Sequence, residues 1–562
     1  MPLMFRSPFY LYLLHINPIY QMKQLTIILL VAISFTATAQ PRGISSIDSL
    51  DKAYINWYNL SPVIDKIEGA AVEQSYTQLL NSRTPAKKIV VAVIDGGVDI
   101  HHPELAGKIW INSDEIAGNG VDDDNNGYAD DVHGWNFIGN AKGENVVMEN
   151  MEYVRILREL TPRFGNIASR NEVKANDLKH YDLYLRCKAE YDNEYKKYAS
   201  YRSGLEQFEQ RIKGPETVLK AYLKKDEITE EDVKAIKTNE EPLKQSRDFF
   251  LKLFKSGFTY NEITSFKKNV DEYLDYRLNL DFDARLIIAD NPSDINDIHY
   301  GNNDVIGERS SHGTLVSGII AANRNNNIGI NGIANNVEIM VLRVVPDGDE
   351  RDKDVALAIR YAVDNGANII NMSFGKYFSM YSHLMDDAIR YADERNVLLV
   401  KSAGNEADNL DLIDCYPSKT YQDGGAATNW LTIGSTQHKK DKHFCGSFTN
   451  YGKTTVDLYA PGVNIVSLYP ESKYDMADGT SFSGPVVSGV AALVWSYFPE
   501  LTASELKDIL LNSVNKYPKL KVYIPGKKKE KSKFSELSVT GGTISAYEAI
   551  KLAIARNQSR QL

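Results

Sequence analysis

The chain has 562 residues, a length that suits several domains or one large domain with insertions. Of these residues 43% are hydrophobic and 25% charged, which is typical of a globular protein. Its formal net charge of −10 argues against a nucleic-acid partner. Its three cysteines, Cys187, Cys415 and Cys445, are too few for a disulfide framework; Cys415 and Cys445 could pair, and separate reduced thiols are an equal alternative.

The first 39 residues are predicted to be a signal peptide. Lys23 begins a short positive region, residues 25–35 form an apolar core, and residues 37–39 (ATA) fit a small-residue cleavage site. The apolar run is too short for a comfortable membrane span, so we expect export to the periplasm or the medium without a stable membrane anchor. We expect the native start to be Met22. The alternative to a cleaved signal is a retained signal-anchor.

Residues 40–87 are mixed and polar, and we interpret them as an N-terminal arm or a short pro-segment of the domain that follows. Residues 88–95 (KIVVAVID) are a continuous apolar run ending in a carboxylate, which is typical of a central strand in a parallel sheet. Asp95 would then lie at the carboxyl end of that strand, where open α/β sheets place their ligand sites. The alternative is a turn-forming aspartate before Gly96.

The densest group of oxygen-bearing side chains follows at residues 122–131 (DDDNNGYADD). Oxygen-bearing side chains recur at every second position from residue 122 to residue 126, Gly127 provides the bend, and Asp130 lies beyond it. This matches the first nine positions of a calcium loop. His133 stands where an EF-hand would have its closing glutamate, so the pattern predicts a related loop of another kind. We expect a structural Ca²⁺ there, and a solvated acidic turn is the alternative. The predicted ligands are Asp122, Asp124, Asn126 and Asp130.

Residues 146–280 differ from the rest of the chain because they are rich in Lys, Glu and Tyr and poor in Gly. Apolar residues recur at steps of three and four over residues 184–212 and again over residues 263–278, which predicts two amphipathic helices in a helical insertion. Gly214-Pro215 is predicted to end the first helix. We interpret its tyrosines as core rather than binding surface. The insertion could act as a lid, a site for a partner or a folding aid.

The remaining chain, residues 281–556, alternates the patterns of buried strands and of helices. Together with residues 88–145 it predicts an α/β fold, a parallel sheet with helices on both faces. The predicted strands span residues 337–345, 368–372, 398–400, 431–435 and 456–460. Helices are predicted from Ser310, at residues 355–365, after a capping box at residues 502–505, and at residues 544–554.

Ser481 lies in residues 479–485 (GTSFSGP), which read as a tight turn opening an apolar helix. Pro485 fits the first turn of that helix. Ser481 would lie beside the unpaired backbone N–H groups of the helix N-terminus, where it could attack a carbonyl carbon. A serine needs a base for this, so a simple helix cap is the alternative.

Three further residues complement Ser481. His312, near the start of a predicted helix, can take the serine proton, and Asp95 can orient the imidazole. Asn405, in a turn after a predicted strand, can donate its side-chain amide to an oxyanion. Each residue alone has a structural alternative, but together they form a nucleophile, a base, an orienting carboxylate and an oxyanion donor.

The chain resembles the subtilisin-like serine proteases (subtilases) over about residues 88–140 and 295–555. The family has its catalytic residues in the order Asp, His, Ser, which is also the order here. The resemblance rests on four blocks: VAVIDGGVDIHHPEL from Val91, HGTLVSGIIAA from His312, SAGNE from Ser402 and GTSFSGPVVSGVAAL from Gly479.

The resemblance implies a serine endopeptidase that hydrolyses protein or peptide substrates through an acyl-enzyme on Ser481. Asp95, His312 and Ser481 would form the triad, and Asn405 would stabilise the oxyanion, with no cofactor for catalysis. An extended substrate would pair with the backbone of a segment after the predicted strand at 368–372. Its residues are Ser373, Phe374 and Gly375.

Two other functions are weighed against this one. The first is a binding or scaffolding protein on a degenerate protease fold, which the intact set of catalytic residues argues against. The second is a protease that the insertion keeps inactive until a partner binds or a cut is made. The insertion separates Asp95 from His312 by 217 residues.

Overall fold

The computed structural model describes residues 43–324 and 326–561. They form two compact units, a larger one from residues 43–159 and 283–561 (residue 325 apart) and a smaller one from residues 160–282. The predicted signal peptide lies outside the described residues.

The larger unit is built on strands whose apolar runs are those seen in the sequence. The thirteen strands of the described chain, in order, are β1 Ile89–Asp95, β2 Gly134–Asn136, β3 Val337–Arg343, β4 Ile369–Met372, β5 Leu398–Ser402, β6 Trp430–Thr436, β7 Leu458–Pro461, β8 Ile465–Tyr469, β9 Lys473–Ala477, β10 Asn515–Lys516, β11 Lys521–Tyr523, β12 Lys531–Lys533 and β13 Gly542–Thr543.

Nine of these strands form one sheet in the order β10-β13-β7-β6-β5-β4-β1-β3-β2. All neighbours in it are parallel except β10 and β13. The remaining four strands make two antiparallel pairs, β8 with β9 and β11 with β12. The central strands are buried along almost their whole length, as expected when both faces of a parallel sheet are covered. The predicted α/β fold is confirmed.

The helices flank this sheet and build the smaller unit. The thirteen α-helices of the described chain are α1 Val72–Gln78, α2 Glu152–Phe164, α3 Leu178–Leu223, α4 Glu230–Ala235, α5 Glu241–Lys255, α6 Tyr260–Glu272, α7 Arg285–Ile288, α8 Ser310–Ala321, α9 Asp352–Asp364, α10 Ser382–Glu394, α11 Thr480–Tyr497, α12 Ala503–Asn512 and α13 Ala546–Gln561.

Helix α11 lies in the interior of the larger unit. Nearly all its residues are buried, and it packs against β4, β5, β6 and β7 and against α8. Its composition, rich in Ala, Val, Gly and Ser, allows the close approach that this central position requires. The predicted capping box at α12 is present, with Thr502 and Glu505 bonded reciprocally.

Residues 43–87 pack into the same hydrophobic core as the sheet. Trp57, Tyr58 and Val72 are fully buried there. The N–H of Gly43 donates to a carboxylate oxygen of Asp475 at 2.9 Å, next to β9. Residues 43–87 therefore contribute to the core of the larger unit.

The smaller unit is a bundle around α3, which packs against α5 and α6. Most of the stripe expected on α3 is buried, including Tyr184, Tyr198 and Phe208, whereas Tyr195 is 46% exposed. The rings of Tyr198 and Tyr273 stack with their centroids 3.9 Å apart. The sequence placed the start of the insertion at residue 146; the structure assigns residues up to 159 to the larger unit.

The prediction that Gly214-Pro215 ends the first helix is wrong. Helix α3 runs for 46 residues and contains Pro215. An interior proline costs a helix about 3 kcal/mol because it removes a hydrogen bond and crowds the preceding turn. Buried side chains on both sides of it, Ile212 and Leu219, continue the apolar stripe, so packing on the neighbouring helices outweighs this local cost.

Among the described residues, no helix combines the length and apolar character needed to cross a membrane.

Candidate active site

The carboxylate of Asp95 and the imidazole of His312 meet at the carboxyl end of β1. Nδ1 of His312 lies 2.9 Å from each carboxylate oxygen of Asp95. Asp95 is buried, whereas the side chain of His312 is 39% exposed. The carboxylate therefore fixes the imidazole through Nδ1 and leaves Nε2 available to a reacting group.

Two glycines permit this close approach. A Cβ on Gly313, the residue after His312 in α8, would lie 2.1 Å from the carbonyl oxygen of Gly97. Gly97 itself has a φ of +118°, and a Cβ there would lie 2.0 Å from the carbonyl oxygen of Ile306. The turn after β1 and the start of α8 thus pack backbone against backbone, which brings Asp95 to His312.

The surroundings of His312 raise its pKa above the ordinary value of 6.5. Desolvation by the packed protein atoms lowers the pKa, and the positive charge of Arg309 acts in the same direction. The charge of Asp95 and its hydrogen bond to the ring outweigh both, because they stabilise the imidazolium. This is the direction that makes His312 a better proton acceptor.

Ser481 is the second residue of α11, so its backbone N–H has no acceptor within the helix. Its Oγ donates to the carbonyl oxygen of Ser373 at 3.0 Å, and Oγ of Ser373 donates in return to the carbonyl oxygen of Ser481 at 2.8 Å. These two bonds hold the start of α11 against the segment that follows β4.

Pro485 explains why the carbonyl of Ser481 needs an outside partner. The sequence predicted Pro485 in the first turn of the helix. In the structure it is the sixth residue of α11 and lies beyond that turn. A proline has no N–H to donate to the carbonyl four residues earlier, which here belongs to Ser481. The hydroxyl of Ser373 supplies the missing hydrogen bond.

The starts of α8 and α11 lie side by side. The two helices pack against each other, and the ring of His312 lies 5.6 Å from that of Phe482, centroid to centroid. Phe482 is the residue after Ser481. The structure therefore brings Asp95, His312 and Ser481 into one region, as the sequence reasoning grouped them.

Thr480 orients the side chain of Asn405. Its backbone N–H and its hydroxyl donate to Oδ1 of Asn405 at 2.9 and 3.0 Å. Because both groups of Thr480 are donors, the amide atom that faces them is the oxygen, and Nδ2 points away from Thr480. Asn405 is exposed, so Nδ2 can meet a substrate. The sequence reasoning missed Thr480, although its position just before Ser481 was a signal.

The chain continues beyond the carboxyl end of β4 with Ser373, Phe374 and Gly375. Ser373 is buried, Phe374 is half-buried and Gly375 is exposed. The next residue, Lys376, is tied to Tyr416 by two backbone hydrogen bonds of 3.0 and 2.8 Å. The segment is thus held at both ends, by Ser481 at Ser373 and by Tyr416 at Lys376.

The acidic loop uses two of its four predicted ligands to hold its own backbone. Asp122 accepts hydrogen bonds from the N–H groups of Asn126 and Gly127 at 3.0 and 2.8 Å. Asp130 accepts three more, from the N–H groups of residues 118–120. These carboxylates act as turn formers in this structure.

The third predicted ligand, Asn126, turns its donor rather than its acceptor towards the carboxylates. Nδ2 of Asn126 donates to Asp124 at 3.0 Å and to Asp131 at 2.9 Å. Its Oδ1 accepts from the N–H of Tyr128 at 2.8 Å. The amide oxygen is therefore engaged by the backbone.

The carboxylates that come together are those of Glu115, Asp124 and Asp131, whose oxygens lie within 4.8 Å of one another. Only Asp124 belongs also to the predicted ligand set. Burial raises the pKa of Glu115 and of Asp131. The sequence reasoning missed Glu115 because it precedes the acidic run; folding returns it to the loop, where it accepts from the N–H groups of Asp123 and Asp130, both at 2.9 Å.

The three cysteines are free thiols in the structure, two of them buried. Cys415 and Cys445 therefore form no disulfide bond in the structure.

The profile of the Subtilase family matches residues 86–536, which is most of the chain. The chain belongs to the subtilase family, and the resemblance carried by the four sequence blocks is confirmed.

Relatives in the family share the matched core and not the whole chain. The "Thermophilic serine proteinase" of Bacillus sp. (strain AK1) is 37% identical over 33% of this chain and 43% of its own length. "Subtilisin BL" of Lederbergia lenta is 32% identical over 39% of this chain and 75% of its own. A chain from the solved structure of the subtilase cytotoxin SubAB is 25% identical over 45% of this chain and 78% of its own, with a TM-score of 0.38.

Proposed function

We propose that this protein is a serine endopeptidase with Asp95, His312 and Ser481 as its triad. The observation that carries the proposal is the contact of His312 Nδ1 with both oxygens of the buried Asp95, at the helix that packs beside Ser481. A carboxylate held on Nδ1 leaves Nε2 as the proton acceptor, which is what a serine nucleophile needs.

The reaction follows from these positions. Oγ of Ser481 attacks the carbonyl carbon of a peptide bond while Nε2 of His312 takes its proton. The imidazolium, stabilised by Asp95, then gives that proton to the leaving amine, and an acyl-enzyme ester remains on Ser481. Water hydrolyses the ester by the same route and restores the serine.

The oxyanion formed in each step would receive two donors. One is the backbone N–H of Ser481, which has no acceptor within the helix. The other is Nδ2 of Asn405, which the bonds from Thr480 orient in advance. Donors held before the reaction need no reorganisation when charge develops, so they stabilise the transition state.

The substrate backbone would pair with Ser373, Phe374 and Gly375. These residues extend beyond β4 beside Ser481, and Gly375 is exposed. An extended peptide can add to such a segment through main-chain hydrogen bonds. Protein or peptide substrates are therefore the class we propose.

A fluorophosphonate probe tests the assembled site directly. Incubated with the protein lacking residues 1–39, it is expected to form one covalent adduct, on Ser481, because only a serine activated by a base reacts readily. Mass-spectrometric mapping of the labelled peptide identifies the residue.

A protein in which Ser481 does not react would instead fit a scaffold on a protease fold. Labelling that appears only after residues 160–282 are cut or bound would fit a latent protease held inactive by the smaller unit. A partner for the smaller unit stays a prediction, as does export by the N-terminal signal to the periplasm or the medium.

Calcium is proposed as a structural ion of the acidic loop, without a part in catalysis. Three carboxylates in close contact suit Ca²⁺, which prefers oxygen ligands. Burial has already raised the pKa of two of them, so a cation would relieve the cost of keeping them ionised. Glu115, Asp124 and Asp131 would hold the ion; Asp122, Asn126 and Asp130 would shape the loop around it.

Chelation is expected to lower the stability of the protein. At a Ca²⁺ concentration about 100 times the Kd, binding to the folded state adds about 3 kcal/mol, which a chelator removes. Thermal unfolding with Ca²⁺ and with EGTA measures the change. The Asp124→Asn variant should lose most of this difference, whereas Asp114→Asn, an exposed carboxylate near the loop, should keep it. Equal unfolding temperatures with and without Ca²⁺ would rule out the ion.

A further inference from the structure

A buried lysine lies next to the proposed substrate-binding segment. Lys401, the penultimate residue of β5, is 2% exposed. A Cβ built on Gly375 would lie 2.9 Å from Nζ of Lys401, 3.2 Å from the carbonyl oxygen of Tyr416 and 3.3 Å from Sγ of Cys415. Because Gly375 has no side chain, the ammonium group of Lys401 borders the space next to this exposed residue, beside Ser373 and Phe374.

The protein gives this ammonium few partners. Nζ of Lys401 donates to the carbonyl oxygen of Ser402 at 3.1 Å and to Sγ of Cys415 at 3.3 Å. No carboxylate oxygen of the described residues lies within 4.0 Å of it. Burial raises the pKa of the Cys415 thiol, against the opposing charge of Lys401, so the sulfur stays neutral at neutral pH. A thiol is a weak acceptor, and the charge remains poorly compensated.

A neighbouring lysine has what Lys401 lacks. Lys376, one residue after Gly375, is equally buried, and its Nζ lies 2.7 Å from a carboxylate oxygen of Asp352 and 3.2 Å from one of Glu152. At Lys376 the fold thus supplies the counter-charges that offset the cost of burying an ammonium group.

Nearby Glu406 makes no ion pair with Lys401 and has other partners. A single carboxylate oxygen of Glu406 accepts from the hydroxyl of Tyr377 at 2.7 Å, from the N–H of Asn405 at 2.8 Å and from the amide of Asn450 at 3.0 Å. Its charge is engaged by these three donors.

The position of Lys401 in the sheet relates it to the scissile bond. Strands β4 and β5 are parallel neighbours, and Met372 pairs with Lys401. The proposed substrate-binding segment leaves the end of β4, and the loop with Asn405 leaves the end of β5. Consider a substrate whose carbonyl carbon is attacked by Ser481 while the carbonyl oxygen points to Asn405. The substrate residue that carries this carbonyl would lie between these two segments, next to Gly375.

Resting on the proposed function, we propose that Lys401 selects substrates with an acidic side chain, Asp or Glu, on the residue whose carbonyl is attacked. The substrate carboxylate gives the buried ammonium its counter-charge and a charge-assisted hydrogen bond. An amide side chain provides a hydrogen bond without the charge, and an apolar side chain provides neither, so both leave Lys401 uncompensated.

A set of peptides that differ only at this residue measures the selection. Peptides with Glu, Asp, Gln, Leu or Lys there are compared by kcat/KM with the full chain lacking its signal. The better acidic peptide is expected to exceed the Gln and Leu peptides by about tenfold or more. The Lys peptide should be the poorest, because it brings a second positive charge to Lys401.

Two substitutions assign the selection to Lys401. Lys401→Met should bring the Glu-to-Gln ratio of kcat/KM close to one, and Lys401→Glu should favour the Lys peptide. Lys439→Met, an exposed lysine, is the control that should keep the acidic preference. Fluorophosphonate labelling of Ser481 shows which variants are folded; if Lys401→Met does not label, Lys401→Arg keeps the charge and should keep the preference.

The outcomes separate this inference from the proposed function. Labelling of Ser481 together with a Leu or Lys peptide as the best substrate overturns the selection by Lys401 and leaves the peptidase standing. An acidic preference that survives in Lys401→Met also overturns it. With neither labelling nor cleavage of any peptide, both the peptidase and the selection fall.

Discussion

Replacing Ser481 with alanine is expected to lower kcat for peptide hydrolysis by at least about 10⁴-fold. The variant keeps the fold, Asn405 and the substrate-binding segment, but it has no oxygen to form the acyl-enzyme. In subtilisin, a member of the same family, removal of the nucleophilic serine lowers kcat by about 10⁶-fold. Casein hydrolysis and a chromogenic peptide, each followed to long times, measure the residual rate.

A serine on the same helix provides the matched control. Ser496 lies near the far end of α11, is buried, and its Oγ donates to the carbonyl of Leu493. Ser496→Ala should keep nearly the full rate, since it changes the helix without touching the site. Wild-type turnover by Ser481→Ala would exclude an acyl-enzyme on that residue.

The sheet was largely readable from the sequence because its central strands carry the strongest signal. β1, β3, β5 and β6 are buried on both faces, so they appear in the sequence as short, largely apolar runs. The two-residue strands β10 and β13 carry no such run. They pair at the edge because tertiary packing brings them there, and no pattern in so short a segment could have indicated it.

Helix α3 shows the limit of local signals. Gly214-Pro215 is a strong helix breaker by composition, and a prediction from the segment alone ends the helix there. The deciding term is the burial of residues on either side of it, such as Phe208 and Leu219, against helices that follow later in the chain. That term depends on contacts distant in sequence.

The sequence grouped the three residues at the ends of β1, α8 and α11 but not the carboxylates that lie together near Asp124, and the reason is related. Asp95, His312 and Ser481 each stand at the end of a regular element, so topology and chemistry indicate their roles together. Glu115 and Asp131 reach Asp124 through the path of an irregular loop, which no periodicity encodes. The sequence did not single out Lys401, because one lysine within an apolar strand forms no pattern. Its proposed role depends on the residues that surround it in the folded protein.

Replacing Asp95 with asparagine is expected to lower kcat by about 10⁴-fold near neutral pH. An asparagine can present an N–H to Nδ1 of His312 and so favour the tautomer that carries its proton on Nε2. That tautomer cannot accept the proton of Ser481. The loss therefore comes from the wrong proton position at an otherwise intact site, which labelling by fluorophosphonate should report as a slowed reaction.

The same substitution should move the acidic limb of the pH profile. His312 works as a base only when neutral, and Asp95 holds its pKa above 6.5, so wild-type kcat/KM falls as the pH drops through that raised value. Without the charge of Asp95, desolvation and Arg309 lower the pKa, and the inflection shifts to lower pH. Asp99→Asn, whose carboxylate bonds to the N–H groups of His101 and Glu471, should leave the inflection in place. An unshifted inflection in Asp95→Asn would mean that the limb reports a group other than His312.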